Sequence, residues 1–129
     1  AIRLNPIHSD AYGNRGNAYA DLGQYAKAIK DYTKAIELNS KSVEVYYNRG
    51  SAYLALGQYS MAIKDYTKTI ELNPNDPNAY CNRCNIYNIL GHYTQAVKDC
   101  TKAIKLDPKF AEAYVNRSNA YAHLGQYSN

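Results

Sequence analysis

The sequence has no tryptophan, one phenylalanine and one methionine among its 129 residues, and its formal net charge is only +4. So mild a charge does not indicate a nucleic-acid partner. No apolar run approaches the roughly 18 residues that a membrane-spanning helix needs, so we expect no membrane partner either. The sequence also has no Gly-rich phosphate loop and no Ser–His–Asp set. We therefore predict that the chain is not an enzyme and has no catalytic residues and no cofactor.

Cysteine is scarce as well. The three cysteines are an odd number, so they cannot all pair in internal disulfides. Free thiols are typical of a reducing compartment, which favours a cytoplasmic location. The length of the chain predicts a single domain.

Tyrosine, in contrast, is abundant, and all of the 15 tyrosines except Tyr47 recur in registers 34 residues apart. A Leu-Gly pair keeps the same period, with its glycine at Gly23, Gly57, Gly91 and Gly125. A period of this size indicates a stacked repeat array. Within each unit the apolar residues recur at steps of three and four, which predicts two helices, and the Leu-Gly pair predicts the end of the first. Asp76-Pro77 is a typical helix start.

The first unit carries a distinctive order of residues: Tyr12, Arg15-Gly16, Tyr19, Gly23, Tyr25, Ala28, Tyr32 and Ala35. This order resembles the tetratricopeptide repeat family, with tyrosine for the usual tryptophan and arginine for the usual leucine. The resemblance implies an all-α fold, an α-α superhelix of stacked helix–turn–helix hairpins.

The period divides the chain into one tail and four repeats. Residues 1–8 match the tail of a preceding repeat, and the repeats run over 9–42, 43–76, 77–110 and, in part, 111–129. The chain resembles a fragment of a longer array. Terminal repeats normally carry a polar outer face, and none is visible here. We therefore expect end-to-end self-association through apolar end faces.

Asparagine occupies one position in all four first helices, which the resemblance implies line a concave groove. An asparagine side chain offers a donor and an acceptor, which match those of a peptide group. We therefore predict a protein–protein interaction module or scaffold that binds an extended peptide or a partner helix. The stripe contains acidic residues but no lysine or arginine, which favours a neutral or basic partner. The predicted groove residues are Asn14, Asn17, Tyr47, Asn48, Ser51, Asn82, Asn85, Asn116 and Asn119.

Two alternatives stay open. In one, the segment is a structural spacer or self-assembling repeat without a dedicated ligand, and its asparagines are solvated surface residues copied by duplication. In the other, the chain binds acidic C-terminal tails, as the co-chaperones of the family do. Asn17 and Asn48 fit the co-chaperone pattern, but Gly13, Asn78 and Asn82 stand where that pattern has lysine or arginine. A carboxylate clamp without its cations is disfavoured.

The third repeat is unusual because it has Cys84 where the first two have glycine, and Cys100 where they have tyrosine. A larger residue on one helix and a smaller one on its partner offset each other, so we predict that these cysteines are neighbours in the core. Cys81 is expected on the open face. A redox or metal role for the Cys81-x-x-Cys84 pair with His92 is the alternative, but it lacks the preceding strand or the four converging ligands that such sites need.

An arginine follows the asparagine at 14, 48, 82 and 116, at a position that is apolar in the family. Because a partly buried arginine needs a partner, and an aspartate recurs on the second helices with the same period, we predict ion pairs between the two helices of a repeat. The predicted pairs are Arg15–Asp31, Arg49–Asp65 and Arg83–Asp99.

Overall fold

A computed structural model describes residues 6–125, with side chains from His8 onward; residues 1–5 and 126–129 lie outside the description. The described residues form helices and contain no strand, which confirms the all-α prediction. None of these helices is long and apolar enough to cross a membrane. The chain divides into two compact units, Ala1–Leu72 and Asn73–Asn129. In chain order the helices are α1 (Pro6–Asp21), α2 (Tyr25–Leu38), α3 (Val43–Ala55), α4 (Tyr59–Leu72), α5 (Pro77–Leu90), α6 (Tyr93–Leu106) and α7 (Ala111–Leu124).

The first helix of each repeat ends at the predicted Leu-Gly pair. The glycine has a left-handed backbone, with φ of +77° at Gly23 and +81° at Gly91, which residues with a Cβ avoid. The N–H of Gln24 then donates to the carbonyl of Tyr19 at 2.8 Å and closes the last turn. These predicted helix ends are confirmed.

Of the helix starts, that of α5 agrees with the sequence-based prediction, whereas that of α1 does not. The Asp76 side chain accepts a 3.0 Å bond from the Asn78 N–H, and Pro77 is the first residue of α5, as predicted. Helix α1, in contrast, begins at Pro6. Residues 6–8, which the period assigned to a preceding repeat, therefore belong to α1, and proline suits a first helical position because its missing N–H would have no helical partner there. The rest of the assigned tail lies outside the described residues.

Small residues and tyrosine build the core of the first unit. Ala28, Tyr32 and Ala35 on α2 are at most 1% exposed. A Cβ at Gly16 on α1 would lie 2.7 Å from the Tyr32 ring, a distance that real Cβ atoms do not show. The tyrosine thus packs directly against the backbone of the neighbouring helix, and this close crossing requires a glycine.

The predicted arginine–aspartate pairs are present in both units. Arg49 donates from Nε and Nη2 to the two carboxylate oxygens of Asp65, both at 2.8 Å, and from Nη1 to Thr33 Oγ1 on α2 at 3.2 Å. The hydrogen bonds and charge of Asp65 raise the pKa of Arg49 above its ordinary value, although burial opposes them. The pairs Arg15–Asp31 and Arg83–Asp99 repeat the two-pronged geometry at 2.7–2.8 Å. Each arginine therefore ties the two helices of its repeat together.

Two of the three cysteines form a disulfide. Cys84 on α5 and Cys100 on α6 are bonded and fully buried, which confirms that they are neighbours in the core. The expectation of free thiols was wrong for these two residues. The tight crossing explains the bond, because it brings the two Cα atoms to 5.7 Å, within the range that a disulfide spans.

Cys81 is the free cysteine, and the prediction that it lies on the open face was wrong. Its side chain is fully buried, and Asn116 Nδ2 lies 3.6 Å from its Sγ. Burial, together with the charge of Glu112, raises the pKa of the Cys81 thiol to about 11. A buried thiol that stays protonated at neutral pH is a poor nucleophile, so this cysteine has a packing role.

Candidate functional site

An asparagine pair forms the centre of the groove between α1 and α3 in the first unit. Tyr32 Oη donates to Asn17 Oδ1 at 2.6 Å, and Asn48 Nδ2 donates to the same oxygen at 3.1 Å. Both lone pairs of Asn17 Oδ1 are thereby used. Among the described residues, neither Asn17 Nδ2 nor Asn48 Oδ1 has a hydrogen-bond partner. The pair thus presents one donor and one acceptor side by side.

Two open depressions flank this pair, and Asn17 and Asn48 line both of them. The N-terminal depression has a volume of about 240 Å³ and is further lined by Ser9, Asp10, Gly13, Asn14, Ser42, Glu44 and Val45. The tyrosine depression has a volume of about 520 Å³ and is further lined by Ala20, Asp21, Tyr25, Tyr32, Ser51, Ala52 and Ala55. The charged residues among these described lining residues are Asp10, Asp21 and Glu44, so this part of the groove is electronegative.

The pKa of Tyr32 reflects these surroundings. Burial raises it to about 12, and the carboxylates of Asp21 and Glu44 contribute to the rise. The phenol therefore stays protonated across the physiological range and remains a donor to Asn17. Tyr32 was recognised from the sequence only as part of the repeat motif, and its role in orienting Asn17 was not predicted. The signal was present in the constant spacing of 15 residues between the groove position and the tyrosine, at 17 and 32 and again at 51 and 66.

The second repeat of the unit has a related arrangement. Ser51 Oγ lies 2.9 Å from Tyr66 Oη, and the Tyr47 ring meets the Tyr66 ring edge-on at 5.6 Å between centroids. Ser51 lines the tyrosine depression, and Asn14 is exposed in the N-terminal one. Of the predicted groove residues in this unit, Asn14, Asn17, Asn48 and Ser51 thus come together, whereas Tyr47 is half-buried against Tyr66.

The predicted residues of the second unit differ in their surroundings. Asn116 is buried at 9% exposure. Its side-chain amide is directed at Cys81, and its backbone carbonyl accepts a 2.9 Å bond from Asn88 Nδ2. This side chain joins α7 to α5 and is not open to a ligand. Asn88 Oδ1 is a buried acceptor without a partner in the described part of the chain. Asn116, which is equivalent to Asn48, therefore has a packing role.

The other predicted positions of this unit are more accessible. Asn119 is exposed, and Asn82 and Asn85 are half-buried. Asn85 is equivalent to Asn17, but the tyrosine that would orient its amide is replaced by the disulfide-bonded Cys100. No group of three or more His, Cys, Asp or Glu side chains in the described residues is arranged to hold a metal ion.

Family models of the tetratricopeptide repeat match most of the chain. The model described as TPR repeat matches residues 16–57, and the one described as Tetratricopeptide repeat matches 43–76 and 77–110. Another Tetratricopeptide repeat model matches residues 1–30 and 100–128. Since the second of these models alone covers more than half of the sequence, the chain belongs to the tetratricopeptide repeat family.

Solved structures share the fold over nearly the whole chain. MamA superposes with a TM-score of 0.91 at 28% identity, covering 96% of this chain and 72% of MamA. The first TPR of Spaghetti (RPAP3), bound to the HSP90 peptide SRMEEVD, has a TM-score of 0.91 at 26% identity, covering 97% and 99% of the two chains. The second TPR domain of human RPAP3, in complex with the HSP70 peptide SGPTIEEVD, has a TM-score of 0.85 at 28% identity, covering 90% and 98%. The fold is thus a solenoid of helical hairpins, as predicted.

Among characterised proteins, serine/threonine-protein phosphatase 5 of Homo sapiens and of Rattus norvegicus resembles the chain. Each is 46% identical over 46 residues, which is 36% of this chain and 9% of the phosphatase. The chain therefore spans less than a tenth of the length of these relatives. The match lies in the repeat region and does not reach the remainder of those proteins.

Proposed function

We propose that this chain is a protein–protein interaction module that binds an extended peptide in the groove between α1 and α3. The observation that carries the proposal is the Asn17–Asn48 pair, whose unused amide donor and acceptor complement the carbonyl and N–H of a peptide group. Because Tyr32 fixes the orientation of Asn17, the pair is preorganised, which lowers the entropy lost on binding. Two structural neighbours that hold peptides support this role.

One such pair contributes little by itself. A hydrogen bond adds only about 0.5–1.5 kcal/mol net, so a ligand needs further contacts along the groove. We propose that Asn14, Tyr47 and Ser51 supply them in the first unit. In the second unit, taken by itself, Asn82, Asn85 and Asn119 are the candidate peptide contacts. A partner helix with polar side chains on one face is the other occupant that these groups would accept.

The charge of the groove favours a neutral or basic ligand in this proposal. Asp10, Asp21 and Glu44 line the depressions, and none of the other described lining residues is a cation. An acidic tail such as those bound by the RPAP3 domains would be repelled, because close like charges are unfavourable. Binding of acidic tails is the second candidate, and it is favoured only by the similarity to those domains.

Peptide titration distinguishes these candidates. Fluorescence polarisation would compare SRMEEVD with SRMKKVK, in which lysine replaces the three acidic residues. Each peptide would also be compared with a version in which the central amide is replaced by an ester. We expect the basic peptide to bind more tightly and to lose affinity with the ester, since the ester lacks the N–H that Asn48 Oδ1 accepts. Tighter binding of SRMEEVD would favour the second candidate. Absence of binding by every peptide would favour a structural spacer.

Substitutions in the protein give an independent test. Asn48→Ala should weaken the basic peptide about threefold to tenfold through the lost bonds, whereas Asn75→Ala on the exposed turn before α5 serves as the matched control. Because Asn48 also bonds to Asn17, the melting temperature of each variant must be compared first. Unchanged affinity in a folded Asn48→Ala variant would contradict the proposed contact.

Self-association remains a separate proposal. On α7, Val115 is 59% exposed and Tyr114 is 40% exposed, which leaves an apolar patch on this helix. Sizing chromatography over a concentration series tests whether copies associate, and Val115→Lys should then shift elution toward the monomer. Elution as a monomer at every concentration would contradict self-association.

A cytoplasmic location also remains a proposal. The sequence-based ground for it, free thiols, now applies to Cys81 alone. Rapid trapping of thiols in intact cells tests it, since the cytosol keeps most cysteines reduced. A Cys84–Cys100 bond that is oxidised in every molecule would contradict this location.

A further inference from the structure

The tyrosine depression of the first unit has a counterpart in the second unit, two repeat periods further along the chain. Tyr25 corresponds to Tyr93, and Ala55 corresponds to His123. In the second unit the imidazole of His123 stacks on the Tyr93 ring, with centroids 4.4 Å apart and planes inclined by 10°. The fold therefore lets a planar side chain at the position of His123 stack on the tyrosine at the position of Tyr93.

The first unit lacks that planar group. Ala55 ends in a methyl group and is exposed, and the Tyr25 ring lines the open depression beside it. In the described part of the chain, neither a ring nor a cationic side chain stacks on Tyr25. The space that the imidazole fills in the second unit is thus open to solvent in the first.

The charge at this place also differs between the units. Asp21, the last residue of α1, stands where the second unit has Ile89. The C-terminal ends of α1 and α3, at Asp21 and Ala55, both line the depression and carry the negative ends of their helix dipoles. In the N-terminal depression, by contrast, Glu44 lies in the first turn of α3, where the positive helix end offsets its charge. The tyrosine depression is therefore the better place for a cation.

We propose that the tyrosine depression binds an arginine side chain of the peptide ligand, with the guanidinium stacked on Tyr25 and paired with Asp21. Guanidinium is planar, as the stacked imidazole of His123 is, and it also bonds a carboxylate with two N–H groups, which lysine cannot do. The chain already uses this combination, since Arg49 lies 5.8 Å from the Tyr53 ring centroid while it bonds to Asp65. The inference rests on the proposed function, because the Asn17–Asn48 pair would hold the adjoining peptide group.

A small probe tests the pocket apart from the rest of the groove. Acetyl-arginine N-methylamide would be titrated into the protein, with the ring resonances of Tyr25 followed by NMR and assigned with Tyr25→Phe. The citrulline analogue has the same shape without the charge, and we expect it to bind about threefold to tenfold more weakly. Equal binding of the two probes, or no response at Tyr25, would overturn the proposal.

Two substitutions sharpen the test. Ala55→His should place an imidazole on Tyr25, as His123 lies on Tyr93, and so abolish arginine binding, whereas Ala18→His on the exposed face of α1 is the matched control. Asp21→Asn should weaken the arginine probe about threefold and leave the citrulline probe unchanged. Undiminished arginine binding in Ala55→His would show that the probe binds elsewhere.

The two proposals fail in different ways. If peptides depend on Asn48 but neither Asp21→Asn nor Ala55→His affects the arginine probe, the arginine pocket is wrong and the proposed function stands. If the probe responds to both substitutions but no peptide depends on Asn48, the pocket stands and the proposed backbone contact is wrong.

Discussion

Removal of the Asp65 carboxylate tests how a repeat stabilises its buried arginine. The side chains of Asp65 and Arg49 are 5% and 16% exposed, and two bonds of 2.8 Å join them. Removal of one partner of a buried pair costs about 3–5 kcal/mol. Arg49 keeps some solvent contact and its bond to Thr33, so we expect Asp65→Ala to lower the free energy of unfolding by about 2–4 kcal/mol.

The assay is urea unfolding followed by far-ultraviolet circular dichroism. Asp31→Ala is the matched control, because its partner Arg15 is 59% exposed and can turn to water, and we expect a clearly smaller loss. The double variant Arg49→Leu/Asp65→Ala, with the leucine that the family has at this position, should recover most of the lost stability, since no charge is then left buried. Equal losses in Asp65→Ala and Asp31→Ala would refute the reasoning.

Further predictions concern the cysteines and the helix crossings. With a thiol reagent at neutral pH, we expect no rapid reaction in the native protein, because Cys81 is buried and the other two cysteines are bonded. We expect one reactive thiol in urea and three after the unfolded protein is also reduced. Rapid labelling of the native protein would contradict the buried position of Cys81. Gly16→Ala should lower the free energy of unfolding by about 1–3 kcal/mol through overpacking against Tyr32, because its Cβ would lie 2.7 Å from that ring. Gly13→Ala is the control, since its Cβ would make only an ordinary 3.5 Å contact with Val45, and a loss as large as that of Gly16→Ala would contradict this account.

The secondary structure could be predicted from the sequence because each helix start or stop depends only on residues a few positions away. The left-handed glycine at Gly23 and the cap at Asp76 depend on backbone geometry within a few positions, and both are present as predicted. The arginine–aspartate pairs were predictable for a related reason. A charged residue at an apolar helix position needs a partner, and Arg49 had one candidate, Asp65, at the right period.

Positions that depend on the neighbouring repeat were harder to predict. Cys81 shares its register with the more exposed Tyr47 and Val115, and Asn116 shares its register with the more exposed Asn14 and Asn48. Cys81 and Asn116 nevertheless meet across α5 and α7 and are buried. The period cannot show this, because burial depends on the size of every side chain at the crossing and not on one residue type. The open ring of Tyr25 and the stacked ring of Tyr93 differ for the same reason, since a methyl group faces one and an imidazole the other.

The sequence by itself determined the class of fold, because helix periodicity, glycine stops and charge pairing are short-range and recur every 34 residues. Only the tertiary structure decided which asparagines stay available. Within the described part of the chain, Asn17 keeps an unused donor and Asn48 an unused acceptor, whereas Asn116 is buried against Cys81. The availability of an amide depends on all the atoms that pack around it, and equivalent positions in a repeat do not share those atoms.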